Sequence, residues 1–265
     1  MSNIEKFNQR AQAIDSLVCV GLDSAISKIA QRFQSAKFPQ FAFNKWIIQQ
    51  THPHAAAYKP NLAYYEARGD QGMRELKETV DYLKEHHPDI FLIADAKRAD
   101  IGTTNEGYVE AIFDWFGFDA ITLHPYLGRE ALAPFLERDD KTSIVLCRTS
   151  NPGAGEFQDR LVDGKPMWQV VAESVRDSWN DNNNCMLVVG ATYPTELATL
   201  RQLMGDMTFL VPGIGAQGGD VEATVTGGVN SESLGIIVNA ARSIIFSQNP
   251  QEEAEKLQGQ VNEYR

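Results

Sequence analysis

The chain has 265 residues, 43% of them hydrophobic, and a formal charge of -11. That length supports a sizeable core. The acidic balance argues against nucleic acid as a partner, because tracking a phosphate backbone needs a basic surface; one small phosphorylated ligand, held by a local arginine and backbone N–H groups, stays open.

In chain order, the N-terminal residues carry no apolar signal segment, and no window approaches the ~20 apolar residues of a membrane span. Ile4, Phe7, Ala11 and Ile14 share one face of a predicted extra helix, placed to close one end of the fold. Eight apolar runs follow, at residues 17–23, 55–59, 90–97, 120–124, 143–147, 186–190, 208–212 and 234–238. They lack polar alternation, which suits parallel strands covered on both faces. Between them lie amphipathic segments. One places Leu76, Val80 and Leu83 on a single stripe surrounded by Glu75, Lys77, Glu78 and Lys84. Another begins at Thr103, with Glu106 three positions on, a capping-box pattern. The run Asn180 to Asn184 is too short to divide domains and is expected as a loop on the N-terminal rim. Cys19, Cys147 and Cys185 are widely spaced and odd in number, so they are expected as small buried hydrophobes in a reducing, cytoplasmic compartment.

Eight β/α units without a linker point to one (β/α)8 TIM barrel with an extra N-terminal helix, a single catalytic domain over residues 1–265. An open doubly wound sheet is the alternative, but Gly21-Leu22-Asp23 after the first strand lacks the glycine-rich dinucleotide fingerprint. In such barrels chemistry sits at the C-terminal strand ends. Those ends carry Asp23, Lys59, Asp95 with Lys97, His124, Ser150, the 212–219 loop and Arg242. Strand alternation puts Asp95 and Lys97 on one face, where charges near an apolar core are costly unless paired. Asp100 lies past the strand and cannot share that face.

The run Asp95-Ala96-Lys97-Arg98-Ala99-Asp100-Ile101 resembles the Asp-x-Lys-x-x-Asp-Ile signature of the orotidine 5'-phosphate decarboxylase family, in its longer-chain bacterial and archaeal branch. The similarity extends through Gly21-Leu22-Asp23, Tyr58-Lys59-Pro60-Asn61, Thr149-Ser150-Asn151-Pro152-Gly153, the 212–220 loop and Ala241-Arg242-Ser243-Ile244. Much of the family has glycine where this chain has Ala241, which adds a methyl beside the phosphate-binding arginine.

The resemblance implies loss of CO2 from C6 of orotidine 5'-phosphate to give uridine 5'-phosphate, the last step of pyrimidine nucleotide synthesis, with no metal or organic cofactor. It implies Lys97 as the cation and general acid beside C6, and Asp95 facing the substrate carboxylate. Lys59 and Asp100 complete an alternating charge set. Asp23 and Lys59 would hold the ribose, Ser150 the pyrimidine edge, and Gln217 and Arg242 the phosphate. Asp100 and Thr104 would complete the neighbouring site of a two-fold homodimer.

Plainer structural roles compete at several positions. Asp23 can be a helix N-cap, Lys59 a snorkelling surface lysine and Ser150 a turn former. His124 is assigned no catalytic role. His52 and His54 belong to the opposite rim, and His86, His87, Trp46, Trp115, Trp168 and Trp179 read as loop and packing residues. Rival functions are a Mg2+-dependent phosphosugar decarboxylase or epimerase, a Schiff-base aldolase using Lys97, and a non-catalytic nucleotide-binding barrel. Carboxylates flanking Lys97 favour its ammonium form, which is not a nucleophile.

Overall fold

The computed structural model describes residues 3–214 and 219–265; Gln217 therefore lies outside the described residues. The apolar runs form strands β1 (Val18–Gly21), β2 (Ala57–Lys59), β3 (Phe91–Arg98), β4 (Ala120–Leu123) and β5 (Thr142–Arg148). A hairpin of two short strands, β6 (Leu161–Val162) and β7 (Lys165–Pro166), precedes β8 (Cys185–Val189), β9 (Phe209–Pro212) and β10 (Ile236–Ala240). Eight of them close a barrel in the order β1-β10-β9-β8-β5-β4-β3-β2, all neighbours parallel. The expected (β/α)8 barrel is the fold, and the open-sheet alternative is excluded by the pairing of β1 with both β2 and β10.

Near-continuous Val, Ile, Leu and Ala let these strands bury both faces, against helices outside and layered side chains within. The helix Asn3–Ala13 packs Phe7 edge-on against Phe91 at the start of β3, and Phe7 and Ala11 are fully buried. Lys6 of that helix pairs with Asp119 just before β4, at 2.7 Å. The extra helix thus closes the N-terminal end and leaves the opposite mouth open. The Asn180–Asn184 loop lies at the closed end, where Asn184 donates to the carbonyls of Leu136 and Arg138.

Several local expectations are corrected. The helix Thr103–Val109 makes no side-chain cap; its N-cap is Gly102, at φ +50°, and Asn105 instead ties the loop before it, accepting from Asp100 N–H and donating to Asp100 C=O. Glu75 is not on the solvated face of Gly69–His86 but fully buried, because it accepts from Phe41 N–H and pairs with Arg68 at 2.6 Å. Trp115 is exposed rather than packed, and Trp168 lines the cavity described below. All three cysteines are free and buried, and burial pushes each thiol up to about 12. Among the described residues no helix is long and apolar enough to cross a membrane.

Candidate active site

A cavity of about 1080 Å³ opens at the C-terminal mouth. Of the residues singled out in the sequence, Asp23, Lys59, Asp95, Lys97, His124, Ser150 and Arg242 all line it. Asp100 and Thr104 do not; they lie on the loop and first turn beyond β3.

Asp95 is the hub. Its backbone is stitched to the end of β2, donating to Pro60 C=O at 3.1 Å and accepting from Leu62 N–H at 3.2 Å. Its buried carboxylate accepts from Lys59 Nζ on one oxygen at 2.7 Å. The other oxygen accepts from Lys97 Nζ and, at 3.1 Å, from Thr122 Oγ1. Burial alone would raise the Asp95 pKa, but the two ammonium groups outweigh it and hold the carboxyl well below the usual range. Lys59 mirrors this: burial acts to lower its pKa, and Asp95 followed by Asp23 pull it well above the ordinary lysine value. Asp23 is compensated only in part: burial raises its pKa against the opposing charges of Lys59, Lys97 and Arg242, and among the described residues its enclosed Oδ1 has no hydrogen-bond partner. An unpartnered acceptor at a cavity wall suits a hydroxyl-bearing ligand.

Asp95 and Lys97 meet, yet not through regular alternation. The β3–β4 register shifts between Ala94 and Arg98, and Lys97 sits at φ +48°, in the left-handed region that costs an L-residue about 1 kcal/mol or more. Lys97 N–H turns to donate to Thr122 Oγ1 at 3.0 Å. Thr122 therefore both shapes the bulge and binds Asp95, a role the sequence analysis missed. Its only sequence signal is its place near the end of the strand neighbouring β3. The Lys97 side chain is 44% exposed, reaching from the wall into the open mouth. The methyl of Ala241 packs toward β1: a Cβ built on Gly21 would approach it to 2.5 Å. The added carbon thus occupies the seam between the first and last strands.

His124 lines the rim, where partial desolvation and then the Lys97 charge push its pKa below the ordinary histidine value. Replacing Lys97 by Ala is expected to raise that pKa, read by NMR titration of the ring protons. An unchanged titration would place Lys97 away from His124. Among the described residues, no group of three or more His, Cys, Asp or Glu is arranged to hold a metal ion.

A parallel eight-stranded barrel with an alternating ionised cluster at its C-terminal mouth defines a barrel enzyme acting on a small ligand. Comparison with known proteins names the family. The sequence profile of the orotidine 5'-phosphate decarboxylase / HUMPS family matches residues 16–257. An orotidine 5'-phosphate decarboxylase of Cellvibrio japonicus is 45% identical, covering 94% of this chain and 91% of that one. One from the archaeon Halorubrum lacusprofundi is 44% identical over the whole of both chains. The solved OMP decarboxylase of Leishmania donovani superposes with a TM-score of 0.89 at 36% identity, covering 100% of this chain and 99% of that one. The chain belongs to the orotidine 5'-phosphate decarboxylase family, and it is an enzyme of the carboxy-lyase class.

Proposed function

We propose that this chain converts orotidine 5'-phosphate to uridine 5'-phosphate and CO2 with its own side chains as the only catalytic groups, as one catalytic domain in the cytoplasm. The observation that carries the proposal is a single buried carboxylate, Asp95, held between the ammonium groups of Lys59 and Lys97 at the cavity wall. Breaking the bond between C6 and the carboxylate leaves its electron pair on C6, where the pyrimidine ring delocalises it poorly. Lys97 supplies a positive charge already in place, and then its proton to C6. Solvent at the open mouth restores the lysine's proton. Asp95 fixes the Lys97 nitrogen and faces the departing carboxylate, and the repulsion eases as CO2 leaves.

Asp23 and Lys59 bind the ribose, Ser150 the pyrimidine edge, and Arg242 with Gln217 the phosphate, by analogy with the family pattern. Asp100 and Thr104 are not among the residues lining their own cavity and are assigned to the site of a second copy, so that a two-fold homodimer carries two complete sites.

The test is loss of orotidine 5'-phosphate absorbance with and without a chelator. Turnover to uridine 5'-phosphate that is unchanged by chelator is expected. Abolition by chelator, restored by Mg2+, would favour the phosphosugar-type mechanism instead.

A further inference from the structure

Arg148, the last residue of β5, is a buried cation that the proposed mechanism does not use. Its guanidinium stacks on the Tyr193 ring at 3.8 Å. It pairs with Asp159 at 3.0 Å, lies 3.7 Å from Glu196, and its Nη1 is 3.5 Å from Gln158 Oε1. Burying an arginine is costly unless its partners are well placed, and here they come from two separate elements, the Pro152–Asp159 segment and the helix Pro194–Met204.

Gln158 passes that placement on to the residues beside Ser150. Its Oε1 accepts from Thr149 N–H at 3.0 Å, and its Nε2 donates to Thr149 Oγ1 at 2.8 Å. Thr149 Oγ1 in turn donates to Asn151 Oδ1 at 2.7 Å, so the two residues flanking Ser150 are tied to each other and, through Thr149, to Gln158. Behind Ser150 stands Gly190, whose N–H donates to Arg148 C=O at 2.7 Å; a Cβ built on Gly190 would come within 2.9 Å of Ser150 Cβ. Thr149, Ser150, Asn151 and Gln158 line the cavity, whereas Arg148 stands behind them. The segment they belong to has little packing of its own: between Pro152 and Gln158 only Ala154 is buried, and Phe157 is 74% exposed. Its position therefore depends on the clamp at its far end.

We propose that Arg148 is a positioning residue that sets the base-recognition side of the cavity, by clamping Gln158 and Asp159 to the end of β5 and so fixing Ser150. This rests on the nucleotide assignment made above. The phosphate side is assigned to the loops after β9 and β10, two and three strands from β5 round the barrel, whereas Gln158, Asp159, Tyr193 and Glu196 all belong to the loops and helix that follow β5 and β8. Loss of the clamp should thus weaken recognition of the base and spare recognition of the sugar phosphate.

Full-length Arg148→Met and Asp159→Asn proteins test this by calorimetric titration with UMP and with ribose 5-phosphate. Asp159 is half-exposed, so its variant keeps the fold if Arg148→Met does not. UMP affinity is expected to fall about tenfold or more, with ribose 5-phosphate affinity within about twofold of wild type. Arg148→Lys keeps the charge but loses the fork and the stacking surface, and is expected to fall between. KM for orotidine 5'-phosphate should rise more than kcat falls. Equal loss of both ligands, or loss of neither, overturns the clamp alone; a wild-type protein that binds ribose 5-phosphate but not UMP overturns the nucleotide assignment, and the clamp with it.

Discussion

Replacing Lys97 by Ala is expected to lower kcat/KM for orotidine 5'-phosphate at least about a thousandfold, because one side chain provides both the charge beside C6 and the proton. The fold should survive. The Lys97 side chain is 44% exposed, so its loss leaves no core cavity. Asp95 keeps Lys59 at 2.7 Å and Thr122 at 3.1 Å, so its charge stays compensated. Circular dichroism and a thermal melt close to wild type, beside a near-complete loss of turnover, are the expected pair of results. Lys97→Arg retains a cation but donates its proton far less readily, and is expected to bind nucleotide without restoring turnover.

The second large effect falls on stability. Asp95→Ala leaves the Lys59 ammonium, 5% exposed, without its hydrogen-bonded counter-charge. Breaking a buried pair from one side costs about 3–5 kcal/mol, which for a chain of this size lowers Tm by roughly 6–20 °C. Removing both partners is different. The double variant Lys59→Met/Asp95→Leu is expected to recover much of the lost stability and none of the activity. A melt of Asp95→Ala equal to wild type would contradict the described pair.

The pH dependence has a defined sign. The folded-state pKa of Asp95 is depressed, so its stabilisation is present above the ordinary carboxylate range and is lost as pH falls through the depressed value. The folded-state pKa of Lys59 is raised, so its stabilisation is present below the ordinary lysine value and fades only as pH rises above it. Between those limits the pair contributes constantly. In Asp95→Ala, Asp23 is the carboxylate left to offset burial, so the Lys59 pKa falls from its raised value and the stabilisation tied to that rise should shrink.

The barrel was legible because its eight strands are short apolar runs whose polar residues fall at one end. Lys59, Asp95, Lys97, Ser150 and Arg242 could be picked out as a group for that reason, before any contact was known. What periodicity could not carry was broken periodicity. The left-handed backbone of Lys97 and the register shift beside it depend on a hydroxyl from β4, and Thr122 reads in sequence as an ordinary β-branched strand residue. Glu75 and Arg148 were missed for a related reason: each is a buried charge with a partner from a distant element, Phe41 N–H for Glu75 and Glu196 for Arg148, which no local pattern announces. The β6–β7 hairpin did carry a signal. Asp163-Gly164 is a turn pair, and both residues adopt positive φ, but strands of two residues are too short to register as apolar runs.

The most direct measurement of the central claim is exchange of the C6 hydrogen of UMP in D2O, followed by NMR with and without protein. If Lys97 stabilises an electron pair on C6 and delivers a proton there, the reverse step removes that proton, so wild type should catalyse deuterium incorporation at C6 and Lys97→Ala should not. Equal exchange by both proteins, or none by a wild type that binds UMP and releases CO2 from orotidine 5'-phosphate, would contradict it.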